Sequence, residues 1–243
     1  LARPQTEQSG CGCKDWQSGG LQPVKWIQHF LLNDLKMTIV VVVNPKGGVG
    51  KSTLSTNIAG YFASTNRQVM LGDTDAQQSS RHWLTLRPDT LPKIRTWDLQ
   101  ADLVINAKPP KGTTHVVVDT AGGVDGWRLK NLISKADKVL VPLQSSVFDM
   151  FATHEFLKKL RILAKEQHTE LGIIGMRVDQ RTISAGKLRE FTATLDIPVI
   201  SYLRDTQYYV HLAAHGLSMF DIAPSKVDKD LLQWKPICQW LDQ

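Results

Sequence analysis

A glycine-rich segment limits the folds open to this chain more than any other feature of its sequence. Residues 44–53 read Asn-Pro-Lys-Gly-Gly-Val-Gly-Lys-Ser-Thr; an apolar run over 38–43 precedes them, and a helical pattern over 52–64 begins within them. Glycines allow backbone N–H groups to surround a phosphate, and the positive end of the following helix faces the same anion. The order of strand, loop and helix therefore predicts a phosphate-binding loop rather than a simple glycine-rich turn.

Two side chains of this loop are predicted to act directly on a bound nucleotide. Lys51 is expected to contact the β- and γ-phosphates, and the hydroxyl of Ser52 is expected to bind Mg²⁺. The ordinary form of the motif has glycine five positions before Gly50, whereas this chain has Pro45 there, followed by a second lysine. The residues expected to bind the nucleotide are Lys46, Gly47, Gly48, Val49, Gly50, Lys51, Ser52 and Thr53.

The string Lys-Gly-Gly-Val-Gly-Lys-Ser-Thr, residues 46–53, resembles the deviant Walker A motif of the ParA/MinD family of ATPases. In that family the first lysine reaches across a dimer interface to the nucleotide of the partner, so the resemblance implies this role for Lys46, with ATP and Mg²⁺ as cofactors. A cation supplied by a second subunit neutralises charge on the transferring phosphoryl group. Hydrolysis is therefore expected to depend on a homodimer, with Lys46 and Lys51 as catalytic residues.

Two acids follow the second predicted strand. The segment Asp73-Thr74-Asp75-Ala76-Gln77 is similar to the Asp-x-Asp-x-Gln segment of the same family. Asp75 is expected to orient or deprotonate the attacking water, and Asp73 is expected to support the metal through its water shell. The alternative is structural, with both acids capping a helix that begins around Ser79.

A further acid closes an apolar strand, as in a Walker B motif. Residues 116–123 read Val-Val-Val-Asp-Thr-Ala-Gly-Gly, which places Asp119 at the carboxyl end of the strand, beside the phosphate loop. We expect Asp119 to hold the hydration shell of Mg²⁺. Many relatives have proline where this chain has Ala121, and the glycines that follow are suited to a switch that senses the γ-phosphate.

Two later segments are candidates for the dimer interface and for contact with adenine. Residues 139–149 resemble a family segment that lines the dimer face, although Ser145 stands where relatives usually carry proline. Arg177 and Asp179 follow a later strand at the place where relatives recognise adenine, so both are candidate contacts of the base. An arginine and an aspartate after a strand also commonly form a simple surface pair, and that alternative remains open.

Short apolar runs alternate with helical patterns along the rest of the chain. The alternation predicts an α/β fold of the P-loop NTPase type, in which a mainly parallel sheet is covered by helices on both faces. Ligands of such sheets lie at the carboxyl ends of the strands. The predicted strands cover residues 38–43, 68–72, 114–119, 138–142, 172–177 and 199–203, and the predicted helices cover 52–64, 127–136, 149–168, 183–195 and 207–215.

Composition and the N-terminal residues suggest the domain organisation. The 243 residues, 42% of them hydrophobic, suffice for one sizeable core. We expect a single ATPase domain over 37–243, with Met37 as the natural start, and an extension over 1–36 that is disordered or not native. The alternative is a short amphipathic anchor formed by Val24, Trp26, Ile27, Phe30, Leu31, Leu32 and Leu35.

The expected location of the protein and the state of its thiols follow from what the sequence lacks. No run approaches the ~18 apolar residues that span a bilayer, and no secretory signal pattern is present. A cytosolic protein without stable membrane insertion is therefore expected. Cys11, Cys13 and Cys238 form no Cys-x-x-Cys pair, which argues against a zinc or iron–sulfur site and predicts reduced thiols.

The family resemblance, which covers residues 38–243, implies a cargo-positioning ATPase. In this use, ATP-bound dimers bind nucleoid DNA without regard to sequence, and a partner protein on a plasmid, a chromosome region or a protein assembly stimulates hydrolysis and releases them. Residues 175–179 and 203–209 look more like those of positioners of protein assemblies, including carboxysomes, than like those of the plasmid proteins. The formal net charge of +6 permits weak contact with nucleic acid or an anionic membrane and proves neither.

Several basic residues are candidates for contact with DNA. They are Lys187, Arg189 and Arg204 in the C-terminal part, together with Lys158, Lys159 and Arg161 on one predicted helix. Each charge alone is more simply explained as part of a solvated face. A dimer would double such a surface, however, and phosphate contacts would then make DNA binding strongly salt-dependent.

Two other uses of the same fold remain open. A membrane-cycling ATPase like MinD needs a C-terminal amphipathic helix, but Pro236 interrupts the apolar stretch 230–241 and only Lys235 is basic there, so a helix packed on the core is favoured. A reductase with a metal cluster needs cysteines at the dimer axis, and residues 38–237 have none. A ligase or kinase needs a substrate pocket with its own acid, base or nucleophile, and no such set is evident in the sequence.

Overall fold

The computed structural model of this protein describes residues 37–97 and 108–243. The predicted N-terminal extension, with its amphipathic alternative and with Cys11 and Cys13, lies outside these residues. Residues Met37–Gln243 form one compact unit. Within the described part, no helix is long and apolar enough to cross a membrane.

A parallel sheet forms the centre of the described part. The strands are β1 (Thr38–Val42), β2 (Val69–Asp73), β3 (Ile94–Arg95), β4 (His115–Asp119), β5 (Lys138–Gln144), β6 (Glu170–Met176) and β7 (Val199–Tyr202). These seven strands follow the order β3-β2-β4-β1-β5-β6-β7, and every neighbouring pair is parallel. This order confirms the predicted parallel α/β sheet.

Helices cover both faces of this sheet. The helices are α1 (Lys51–Ser64), α2 (Ser79–Thr85), α3 (Gly126–Ile133), α4 (Val147–Gln167), α5 (Ile183–Ala193), α6 (Gln207–Ala213) and α7 (Asp228–Leu241). Successive strand residues point to opposite faces of the sheet. Val40 and Val42 of β1 therefore pack in one apolar cluster with α1, α2, α6 and α7, while Val41 packs in the other cluster with α3, α4 and α5.

Strand register brings the acidic ends of two strands together. Asp73 at the end of β2 lies opposite Asp119 at the end of β4, and Val42 at the end of β1 lies opposite Asp119 on its other side. The phosphate loop leaves β1 at this level. The sheet therefore places the loop and both predicted metal carboxylates at one edge, as expected for the carboxyl ends of parallel strands.

The C-terminal helix corrects one expectation. Pro236 was expected to interrupt the apolar stretch, but it lies inside the continuous helix α7. Pro236 has no N–H to donate to the preceding turn, and the inward residues hold the helix on the sheet: Trp234 and Ile237 are 0% exposed. The prediction of a helix packed on the core is confirmed, because Trp234, Ile237 and Leu241 are buried against the sheet, although Leu232 is exposed.

Two glycines in helices should respond oppositely to the same substitution. A Cβ at Gly60 in α1 would lie 2.5 Å from Cβ of Ser218, and the Ser218 hydroxyl donates to Asp221 at 2.6 Å. We expect Gly60→Ala to lower the free energy of unfolding by about 1–3 kcal/mol. A Cβ at Gly186 in α5 meets nothing within 4 Å, so Gly186→Ala should raise the free energy of unfolding by about 0.5–1 kcal/mol.

Urea unfolding of both variants beside the wild-type protein tests this pair of predictions. The dependence of the free energy of unfolding on urea concentration should have the same slope in all three proteins. No loss of stability in Gly60→Ala would contradict the packing described for α1, and a loss in Gly186→Ala would contradict the open space described at α5.

Candidate nucleotide-binding site

A cleft of about 720 Å³ opens at the carboxyl edge of the sheet. Three segments far apart in the sequence, together with Arg177, form its walls: the phosphate loop, the turn after β2 and the turn after β4. The lining residues are Gly47, Gly48, Gly50, Lys51, Ser52, Thr53, Asp75, Ala76, Gln77, Ser79, Ala121, Gly122 and Arg177. The structure thus brings most of the predicted phosphate loop together with Asp75 and Arg177.

Backbone conformation makes the loop suited to an anion. Gly48 and Gly50 have φ angles of 75° and 99°, which side chains rarely adopt, and a Cβ at Gly50 would lie 2.8 Å from Cε of Met176. The first helical hydrogen bond of α1 runs from the N–H of Leu54 to the carbonyl of Gly50 at 2.9 Å. The amides of the first turn therefore have no carbonyl partner within the helix and can serve a phosphate.

The neighbouring strand β5 braces the loop. The buried side chain of Asn44 donates to the carbonyl of Pro142 at 2.8 Å and accepts from the N–H of Lys46 at 2.8 Å. Nε2 of Gln144 donates to the carbonyl of Gly48 at 3.0 Å. No role was predicted for Asn44, and Gln144 was included only in the segment 139–149 of the dimer face; the signal in the sequence was a polar amide at the end of a buried strand.

Lys51 is held inside the loop. Its side chain is 7% exposed, and Nζ donates to the backbone carbonyl of Lys46 at 2.6 Å. Burial lowers the pKa of Lys51 from its ordinary value, against the raising effects of Asp119 and Asp75. The ammonium group thus lies close to both acids and loses solvation in the loop, which suits it to a strongly anionic ligand.

Asp119 is buried at the end of β4 and is surrounded by hydroxyl groups. Its Oδ2 accepts from Oγ of Ser80 at 2.5 Å and its Oδ1 from Oγ of Ser55 at 3.3 Å, and the side chain of Ser52 also bonds to it. Burial raises the pKa of Asp119 to about 6, while the bonds from Ser80 and Ser52 lower it. A hydroxyl and a carboxylate so placed are the oxygen ligands that Mg²⁺ prefers, so the residues fit this ion.

The two acids after β2 have different surroundings. Asp73 is buried and accepts from the N–H groups of Asp75 and Ser80 at 2.9 Å and of Arg81 at 3.3 Å. Burial raises the pKa of Asp73, against the lowering effect of these three bonds. Such contacts are those of a helix cap at the start of α2, which the structural alternative predicted. Asp75 instead lines the cleft, and its Oδ1 accepts from the N–H of Gln77 at 3.0 Å.

The two candidate adenine contacts, Arg177 and Asp179, have different surroundings. Arg177, with a φ angle of 52°, is exposed and lines the cleft. Asp179 accepts from Nε and Nη2 of Arg181 at 3.0 and 2.9 Å, and this hydrogen-bonded pair lowers the pKa of Asp179 to about 2. Arg177 therefore lines the cleft, whereas Asp179 forms a surface pair with Arg181 and not with Arg177, which the alternative interpretation had paired with it.

The candidate DNA contacts in the C-terminal part differ in their partners. Arg204 donates to the fully buried carboxylate of Asp230 at 2.7 and 2.9 Å. The guanidinium of Arg189 lies over the ring of Tyr202, 5.7 Å from its centroid, and Lys187 is exposed on α5. Arg204 thus has a structural role that the sequence analysis did not foresee, since its partner lies on α7.

The exposed basic residues of α4 are in part paired. Lys158 contacts Glu155 at 3.0 Å and Arg161 contacts Asp196, while Lys159 is exposed. Exposed pairs of this kind contribute little to stability and exchange easily with other partners.

Comparison with known proteins agrees with this site. Residues 40–219 match the model of the family described as the CobQ/CobB/MinD/ParA nucleotide binding domain. The chain belongs to this family of nucleotide-binding proteins, as the deviant Walker A motif implied.

Two relatives with the same name are similar to this chain over most of their length. The chain is 26% identical over 209 residues to the maintenance of carboxysome distribution protein A of Gloeobacter kilaueensis, a match that covers 84% of this chain and 94% of that protein. It is 25% identical over 193 residues to the protein of the same name from Halothiobacillus neapolitanus, with coverage of 77% and 88%. The solved structure of apo McdA from Cyanothece, 16% identical, has a TM-score of 0.66 over 82% of this chain and 98% of that one, which confirms the predicted fold.

Proposed function

We propose that this protein is an ATPase that dimerises around ATP and positions or partitions an intracellular cargo. The observation that carries the proposal is the phosphate loop with its second lysine, Lys46, whose backbone carbonyl accepts from Nζ of Lys51 in the wall of the cleft. The full-length similarity to proteins named for carboxysome distribution supports a protein assembly as the cargo.

ATP with Mg²⁺ is the proposed cofactor. The loop amides and Lys51 would bind the β- and γ-phosphates, and Ser52 with Asp119 would hold the metal, with Asp73 acting through water from its place under α2. Bound Mg²⁺ would neutralise charge that develops on the phosphates. Arg177 is the proposed adenine contact, whereas the pair that Asp179 forms with Arg181 favours a structural role. Among the relatives, a Cyanothece McdA variant has been solved with ATP and the MinD of Pyrococcus horikoshii with Mg-ADP.

Hydrolysis would proceed by attack of water on the γ-phosphate. Asp75 lines the cleft with a carboxylate that can orient this water or accept its proton. Lys51 supplies one cation to the phosphates from within the subunit, and Lys46 of a second copy supplies the other. The reaction would thereby be slow in a monomer and faster in a dimer.

Exposed aromatic side chains support the dimer. Trp127 near the start of α3 is 66% exposed, and Phe151 in the second turn of α4 is 74% exposed. These helices follow β4 and β5, whose carboxyl ends border the phosphate loop. A second copy seated on this edge would cover apolar surface that is costly to leave in water, and it would bring its Lys46 to the cleft.

DNA and a partner protein complete the proposed cycle. The ATP-bound dimer would bind nucleoid DNA through Lys187 and Arg189, and a protein on the cargo would stimulate hydrolysis and release it, within the cytoplasm. A solved MinC:MinD complex from Aquifex aeolicus supports the view that family members bind protein partners. The engagement of Arg204 with Asp230 makes it a weaker candidate for DNA than the other two.

A charge-reversal variant tests the DNA surface. With ATP, Lys187→Glu/Arg189→Glu should lower affinity for a random-sequence duplex at least tenfold and reduce the salt slope by about four, because two phosphate contacts are lost from each subunit of the dimer. The matched control is Lys229→Glu/Lys235→Glu, which makes the same charge change on exposed residues of α7. Gel-shift titrations at two salt concentrations measure both. Equal loss in the two double variants, or equal affinity with ATP and ADP, would contradict the proposal.

A further inference from the structure

Ser80, the second residue of α2, touches both carboxylates that end neighbouring strands. Its hydroxyl donates to Oδ2 of Asp119 at 2.5 Å, and its backbone N–H donates to Oδ2 of Asp73 at 2.9 Å. The residue is 0% exposed, so water does not compete for these bonds. Neither the phosphate loop nor the acidic motifs include this serine, and a serine in the first turn of a helix carries no functional signal in the sequence by itself.

The contacts of Asp119 come from two different helices. On one oxygen, Ser55 of α1 donates at 3.3 Å; on the other, Ser80 of α2 donates at 2.5 Å, the shorter of the two bonds. An ionised carboxylate has about four acceptor positions, and its terminal torsion is soft. Hydroxyl donors on both oxygens fix that torsion, and one oxygen position can then face the metal or its water.

Ser80 also joins this carboxylate to the wall of the cleft. It directly follows Ser79, and Ser79, Asp75 and Gln77 all line the cleft. A displacement of this wall would move the Ser80 hydroxyl relative to Asp119. The hydroxyl therefore links the segment that carries the proposed water-orienting Asp75 to the carboxylate at the proposed metal site.

We propose that Ser80 is a positioning residue that orients Asp119 toward Mg²⁺ and ties the metal site to α2. The proposal rests on the function proposed above for Asp119. Groups that hydrogen-bond to a metal-binding side chain, and so orient it, typically contribute 10–100-fold to metal affinity. Because the bond from the backbone N–H to Asp73 does not need the hydroxyl, Ser80→Ala removes the link to Asp119 and leaves the cap of α2 in place.

Mg²⁺ titration of nucleotide binding tests this role without relying on hydrolysis. The fluorescence of methylanthraniloyl-ADP is followed for the wild-type protein, Ser80→Ala, Ser80→Thr, Ser55→Ala and Asp119→Asn, with and without Mg²⁺. For Ser80→Ala we expect the half-saturating Mg²⁺ concentration to rise about tenfold while affinity measured in EDTA stays unchanged. Ser80→Thr keeps the hydroxyl and should restore most of the loss, and Ser55→Ala, which removes the longer bond, should shift the value less than about threefold.

Each result decides between distinct claims. An unchanged Mg²⁺ dependence in Ser80→Ala would overturn the proposal, as would an equal loss of affinity in EDTA, which indicates a purely structural role. Equal shifts for Ser80→Ala and Ser55→Ala would show that the bond from α2 orients Asp119 no more than the bond from α1 does, which contradicts the proposal. If Asp119→Asn leaves the Mg²⁺ dependence of the wild-type protein unchanged, the metal site of the proposed function itself is wrong.

Discussion

Lys51→Ala should lower the affinity for ATP about 100-fold. The ammonium group is expected to make two charge-assisted hydrogen bonds to the β- and γ-phosphates, each contributing roughly 1.5 kcal/mol, and about 3 kcal/mol corresponds to about two orders of magnitude in the dissociation constant. The loss should be specific to the ligand, because the protein itself gains little from burying this charge. Burial lowers the pKa of Lys51, and the group makes one bond to the carbonyl of Lys46.

Equilibrium binding of a fluorescent ATP analogue measures this loss, with unfolding by urea in the absence of nucleotide as the second readout. The free energy of unfolding should stay within about 1 kcal/mol of the wild-type value. Lys159→Ala, which removes an exposed lysine of α4, is the matched control and should leave the affinity unchanged. Wild-type affinity in Lys51→Ala would show that the loop does not bind phosphate as proposed.

Lys46→Ala should separate hydrolysis from binding. If Lys46 acts on the nucleotide of a second copy, as an arginine finger does, its removal should slow hydrolysis about 1,000-fold or more. Binding of ATP to the monomer should change little, because Lys51, the loop glycines and Ser52 remain. The expected pattern is therefore opposite to that of Lys51→Ala, in which binding is lost first.

The steady-state rate of hydrolysis per subunit, at saturating ATP and over a range of protein concentrations, measures the effect. In the wild-type protein, the rate per subunit should rise with protein concentration, and this dependence should vanish in Lys46→Ala. Unchanged hydrolysis in Lys46→Ala, or a wild-type rate that does not depend on protein concentration, would mean that Lys46 does not act across a dimer.

Much of the fold could be predicted because apolar strands and amphipathic helices leave strong local patterns. The six predicted strands and five predicted helices are all present, with ends within three residues of the observed ones. Three elements were missing from the predicted strands and helices: β3, α2 and α7, the last of which was favoured as a packed helix only in weighing the membrane-cycling use. β3 is only two residues long, and α2, with seven residues, was considered only as the helix that the acids might cap.

Pro236 shows why local rules fail within a packed element. The missing N–H and the ring of proline disfavour a helix interior, yet α7 continues through it. Burial of Trp234, Ile237 and Leu241 on the sheet supplies a stabilisation that no local pattern records.

Six of the eight predicted loop residues line the cleft, all but Lys46 and Val49, but the loop sequence could not predict partners that lie far along the chain. Asn44 contacts Pro142, Ser80 contacts Asp119, and Arg204 contacts Asp230. Each pair meets only because strand order and register bring distant segments together. The separation of Arg177 from Asp179 has a different cause: Arg177 lines the cleft, while Asp179 pairs with Arg181 only two residues away, and the sequence offered two arginines for one aspartate.

The mass of the particle in solution, with and without ATP, shows whether the protein dimerises around the nucleotide. Light scattering coupled to gel filtration compares the wild-type protein with Asp75→Asn, in which slow hydrolysis should preserve the ATP-bound state. From a chain of 27.2 kDa, we expect a monomer with ADP and a particle of twice that mass with ATP and Mg²⁺. A mass that stays that of a single chain in ATP, for a protein shown to bind it, would rule out ATP-dependent dimerisation.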